Sequence, residues 1–137
     1  METIMEIYVT SKVAHASMWR RLREEGVPIK ADWIDFELDV SDDQQVQHLW
    51  DLCFADVNAC SVLVAFVQNG EVLKGGLAEI SVALAGKKKV LLVGEVPELG
   101  TLARHRNISR FGTLEEAMSS IGFQVKSYLS AQAKKSA

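Results

Sequence analysis

The 137-residue chain is poor in cysteine, has no excess of positive charge and carries no long apolar run. Cys53 and Cys60 are its only two cysteines, and neither belongs to a CxxC pair or a Cys/His cluster. Buried free thiols in a reducing cytoplasm are therefore expected rather than a disulfide or a metal site. Lysine and arginine total 15 against 18 acidic residues, a net charge of −3. The basic footprint of a protein that coats nucleic acid is missing, although a local phosphate site is not excluded. The longest apolar run, residues 62–67, is far shorter than the ~18 residues of a membrane span. No charged stretch followed by an apolar one opens the chain, so no signal peptide is read and a cytoplasmic location is expected. There is no GxGxxG or Walker pattern and no carboxylate or histidine cluster at ligand spacing, so neither a cofactor nor a metal is expected.

What is present is ordinary globular composition, 48% apolar and 24% charged, in a length that suits one domain. Residues 1–130 are assigned to that domain and residues 131–137 to a fraying tail. The apolar pattern alternates between strand-like runs and helical periods. Ile4, Ile7 and Val9 begin a strand that ends at Thr10-Ser11. Ala14, Met18 and Leu22 recur every four residues, and Gly26 closes that helix. Residues 29–34 read as a second strand. Ser41-Asp42-Asp43-Gln44 fits a capping box opening a helix whose apolar face holds Val46, Leu49, Trp50, Cys53, Phe54 and Val57. Residues 61–67 form a continuous β-branched run that suits a strand covered on both faces. Gln68-Asn69-Gly70 is a turn, Gly75-Gly76 starts a helix with Leu77, Ile80 and Leu84, and Gly86 stops it. Residues 90–93 and 108–111 are further strands. Thr113-Leu114-Glu115-Glu116 caps a last helix carrying Leu114, Met118, Ile121, Val125 and Leu129 on one face. The βαβα order predicts a flavodoxin- or Rossmann-like three-layer sandwich with a mainly parallel sheet of four to five strands. Ligands of such sheets bind beyond the carboxyl ends of the strands, near the topological switch point.

Within those loops, Gly75-Gly76-Leu77-Ala78-Glu79 is the richest segment. Two glycines permit close backbone approach. Glu79 stands in the first helical turn, off the apolar stripe, where the helix dipole favours its ionised form and a nucleophilic role. The same dipole also enriches first turns in acidic residues that do no chemistry.

Ile7-Tyr8-Val9-Thr10, the Asp56-Val57-Asn58-Ala59 step into the Val62 strand, and Leu73-Lys74-Gly75-Gly76-Leu77-Ala78-Glu79-Ile80 with Ala83-Leu84-Ala85-Gly86-Lys87 together resemble the nucleoside 2-deoxyribosyltransferase superfamily. That superfamily includes nucleotide N-glycosidases and many small proteins, some phage-borne. The resemblance runs through nearly the whole chain, to Thr113-Leu114-Glu115-Glu116-Ala117. It implies that a glutamate at Glu79 attacks sugar C1′ and forms a glycosyl-enzyme, the logic of retaining glycosidases. It also implies that Tyr8 orients the glutamate and that Asp56 contacts the substrate; by position alone Tyr8 reads equally as a half-buried strand aromatic, and Asp56 reads first as a solvated helix-end acid. A nucleoside or nucleotide is the implied small-molecule partner, with pockets built near subunit interfaces of a homodimer or higher assembly. The chain departs from the family pattern at Ser61, where an acidic residue commonly starts the strand. Ahead of the glycine pair, where the transferases often carry an aspartate, the only acid is Glu71. A hydrolase, or a binder without turnover, is thus expected over a true transferase.

Other candidates follow from position. Trp33, among Asp32, Asp35 and Glu37, is placed either to stack on a base or to pack in the core or an interface. Arg104-His105 beyond the fourth strand suits either a 5′-phosphate or a solvated loop. Ser11 and Lys12 close the first strand as a phosphate cap or a plain turn. Lys87, Lys88 and Lys89 fall at the opposite end of the sheet and receive no role. The Trp50 helix is the expected interface element.

Overall fold

Four short runs rich in β-branched residues pair into one sheet: β1 (Ile7–Thr10), β2 (Val62–Phe66), β3 (Lys89–Val93) and β4 (Ile108–Phe111). All three pairings are parallel and the spatial order is β1-β2-β3-β4. The computed structural model describes residues 5–125. Residues 131–137, expected as a tail, lie outside them. The protein is of the α/β class, with the parallel sheet and flanking helices of a Rossmann- or flavodoxin-like fold. β2 and β3 are buried along almost their whole length, as their unbroken apolar runs require.

The expected strand over residues 29–34 is reduced to one parallel bridge, Ile29 to Ile7. Ile7 N–H donates to Pro28 O and Lys30 N–H to Ile7 O, both at 2.9 Å. The next acceptor along that edge, Val9 O, takes the indole N–H of Trp33 at 2.8 Å instead of a backbone partner. Asp56 accepts the backbone N–H of Asp32 at 2.9 Å, and the chain turns into a 3-10 segment, Asp32–Asp35. The segment's own Trp33 side chain and the distant Asp56 thus take over the ladder bonds that would have continued the strand.

That bridge still sets the topology. From β1 the chain passes through α1 (Ala16–Glu24) outward to Ile29, then returns through α2 (Asp43–Ala59) to β2 on the opposite side of β1. Right-handed crossovers in opposite directions put α1 and α2 on opposite faces. α3 (Gly75–Ala85) packs beside α2. The change of direction lies between β1 and β2, and the cleft opens at their carboxyl ends.

Local signals moved by a residue or two in several places. A 3-10 turn, Val13–His15, precedes α1, whose buried face is Trp19 and Leu22. The cap of α2 is Asp42, accepting from Gln44 and Gln45 N–H, while Ser41 bonds Asp39. α3 ends in paired bonds, Lys88 N–H to Ala83 O and Lys87 N–H to Leu84 O. The left-handed residue of that ending is Lys87 (φ 61°) and not Gly86. α4 (Leu114–Ser120) is capped by Thr113 as expected. It stops at Ser120, with Gly122 at φ 94° just beyond, so the expected stripe through Ile121 and Val125 is not helical. Leu129 lies outside the described residues. Cys53 and Cys60 are buried free thiols, both pushed up to about 11 by burial.

Candidate functional site

Side chains alternate across a strand, so Tyr8 and Thr10 leave β1 on the same face. α3 crosses that face and lowers Glu79 onto both. Tyr8 donates its hydroxyl proton to Glu79 Oε2, and Thr10 Oγ1 donates to Oε1 at 3.1 Å. The glycine pair makes this approach possible. A Cβ on Gly76 would lie 2.9 Å from Thr10 Oγ1 and 3.1 Å from Leu73, and one on Gly75 would lie 3.1 Å from the Trp50 ring. The close approach foreseen for a ligand is thus made first by the protein's own side chains.

Glu79 is only 6% exposed. It is the fifth residue of α3 and not part of the first turn. Burial raises its carboxyl from 4.5 to about 8. This overturns the ionised form expected from the helix dipole. A dipole is worth ~0.3–1 kcal/mol, whereas a rise of that size corresponds to about 5 kcal/mol. Burial thus favours the protonated form of Glu79 at neutral pH.

A cleft of about 1110 Å³ opens over this group. Gly75, Gly76, Ser11, Trp33 and Glu79 line it, together with Thr10, Lys12, Phe36, Trp50 and Lys74. Ser11 Oγ accepts the Trp19 indole N–H at 2.8 Å and donates to Lys12 O at 3.0 Å, so its hydroxyl is committed to the loop. Trp33 is half-buried and fixed by its bond to Val9 O. Trp50 faces the cleft beside Phe54, with ring centroids 5.3 Å apart. The α2 helix expected at a subunit interface contributes Leu49, Trp50 and Cys53 to the cleft lining. The large apolar side chains that stand exposed among the described residues are Val13, Leu38, Val40 and Val72, and all four ring the cleft mouth.

Three expected contacts fall outside the cleft lining. Asp56 is neither a solvated helix-end acid nor a cleft residue; it is buried, pinning the Asp32 turn with Lys30 3.9 Å away. Burial, ahead of other influences, raises its carboxyl above the ordinary range. Arg104 ends a 3-10 segment (Pro97–Arg104) and is exposed. His105 uses Nδ1 to accept Asn107 N–H at 3.0 Å. Neither lines the cleft. Thr10 and Lys74 were overlooked as site residues. The period-2 relation of Thr10 to Tyr8 was the available signal for the first, and the position just before the glycine pair for the second.

An α/β protein with a buried, hydroxyl-held carboxylate at the switch point of its sheet is what the fold and site define. No family model matches the chain, and no curated protein does. Among solved structures, the chain is similar to that of a CMP N-glycosidase, BcmB, from Clostridium botulinum. The TM-score is 0.52 at 16% identity, covering 86% of this chain and 99% of that one. The likeness is one of fold. Among the described residues no group of His, Cys, Asp and Glu could hold a metal ion, and no helix is long and apolar enough to cross a membrane.

Proposed function

We propose that this protein cleaves the N-glycosidic bond of a nucleoside or nucleotide, with Glu79 as nucleophile and Tyr8 as the residue that orients it. The observation that carries the reading is the Glu79 carboxyl, buried at the switch point and engaged on both oxygens by Tyr8 and Thr10. The shared fold with a CMP N-glycosidase supports it. In the first step ionised Glu79 bonds to C1′. The C1′–N bond breaks, and the base leaves with the electron pair and takes a proton from water. In the second, water adds to C1′ and loses a proton, while the bond to Glu79 breaks and returns its pair to the carboxylate. The two hydroxyls fix the carboxylate throughout. Trp33 offers a stacking face for the base. Lys12 and Lys74 take the phosphate role rather than Arg104 and His105, a reading supported by their presence in the cleft lining. Two or more copies associate at the apolar rim of the cleft, which a molar-mass measurement in solution checks.

A second reading, a nucleotide-binding module without turnover, is favoured by the proton that burial keeps on Glu79. The deciding experiment incubates the protein with CMP and a panel of nucleosides and monophosphates, and scores free base by chromatography. Base release that Glu79→Ala abolishes supports the glycosidase. Release undiminished in that variant refutes the nucleophile, and binding without release supports the module.

A further inference from the structure

The cleft is larger than a single nucleotide needs. Its volume of about 1110 Å³ exceeds the ~300–1,000 Å³ of ordinary small-molecule sites, and a nucleoside monophosphate is a small ligand by that measure. The surplus space is furnished in duplicate. Two half-buried indoles line it on separate elements. Trp33 is tied to β1 through Val9 O, and Trp50, on α2, sits against Gly75 at the start of α3. Glu79, held by Tyr8 and Thr10 of β1 and carried on α3, belongs to both of those elements. Two exposed lysines also line the cleft, Lys12 after β1 and Lys74 before α3. Neither ammonium group makes a side-chain hydrogen bond or ion pair among the described residues, the bonds of both lysines running through their backbone carbonyls. By contrast, Arg20 is occupied by Ile34 O at 2.6 Å, and Asp35 is paired with Arg23. The cleft thus offers two indoles and two ammonium groups, beside the Phe36 ring and the Glu37 carboxylate. A single nucleotide uses one platform and leaves the other bare.

We infer that the ligand is a pyrophosphate-bridged dinucleotide, one ring on each indole and the diphosphate between Lys12 and Lys74. The inference rests on the glycosidase reading only for which bond is cut; the binding claim stands separately. A second stacked ring joined through a bridge raises affinity ~10-fold or more over either half.

The test uses the full chain carrying Glu79→Gln, which blocks turnover, and calorimetric titration. The probes are nicotinamide adenine dinucleotide, diadenosine diphosphate, their mononucleotide halves and CMP. At least one dinucleotide is expected to bind ~10-fold or more tightly than its tighter half. Trp50→Ala and Lys74→Ala, made in that background, should each collapse this ratio, and Trp50→Phe should restore most of it. Lys74 is exposed, so its variant tests the assignment even if Trp50→Ala fails to fold. Dinucleotides bound no more tightly than their halves, or a ratio unmoved by Lys74→Ala and Trp50→Ala, overturn the inference. Base release by the wild-type protein is scored separately. Tight dinucleotide binding without release defeats the glycosidase reading and leaves this one standing, and release from CMP without dinucleotide preference does the reverse.

Discussion

Replacing Glu79 by Gln tests the site without needing a substrate. The folded protein holds a proton on Glu79 up to about pH 8, whereas the unfolded chain releases it near 4.5. Between those values the native state binds about one proton more than the unfolded state, so stability falls as pH rises. The slope is about 1.4 kcal/mol per pH unit. By pH 7 about 3 kcal/mol has been lost, and above pH 8 the full loss approaches 5 kcal/mol. Below pH 4.5 the contribution is wholly present. Glutamine has the shape of the protonated acid but cannot ionise. The stability of Glu79→Gln relative to wild type should therefore climb between pH 5 and pH 8 and then level off. Urea unfolding followed by tryptophan emission, with Trp19 wholly buried as the reporter, measures both proteins at each pH. Asp56 shifts in the same direction but is common to both and cancels in the difference. A difference that stays flat across this range, or that falls, would refute the burial argument.

Three further perturbations follow from the geometry. Tyr8→Phe removes a donor to the ionised carboxylate, so the alkaline-side rise of kcat/KM for base release should move to higher pH. The rate at pH 7 should drop ~10-fold or more, and a pH–rate profile reads both. Gly76→Ala sets a Cβ 2.9 Å from Thr10 Oγ1. Overpacking at ~1–3 kcal/mol should outweigh a helix-propensity gain of up to ~1 kcal/mol, giving a lower denaturation midpoint and the loss of base release. Lys87→Gly should stabilise the protein by about 1 kcal/mol, seen in the same denaturation assay, because φ 61° disfavours any side chain.

The β2 and β3 runs were legible because a strand covered on both faces needs unbroken apolar residues, and nothing distant competes with that demand. Gly75-Gly76 likewise announced a close approach, although the partner proved to be Thr10 and Trp50. The strand expected at residues 29–34 failed for a reason its own pattern contains only in part. Its ladder bonds are taken by the Trp33 indole and by the carboxylate of Asp56, 24 residues further on. The ionisation of Glu79 was misread similarly: its helical position shows the dipole, but burial is set by β1 lying against α3. Arg104 and His105 were assigned by the rule that loops after strands face the ligand. The 3-10 segment after β3 leaves them outside the cleft.

The bond from Trp33 to Val9 O ties together two properties that proteins usually keep apart. Past the Ile29 bridge, the outer side of β1 is a sheet edge without a backbone partner, and such edges recruit other strands and seed aggregates unless something blocks them. Here the blocker is a residue that also lines the cleft. Substitutions at Trp33 that reshape the cleft would also uncover a backbone acceptor at that edge. The cleft can therefore diversify more freely through Phe36 or Trp50 than through Trp33, where any new specificity must also keep the protein in solution.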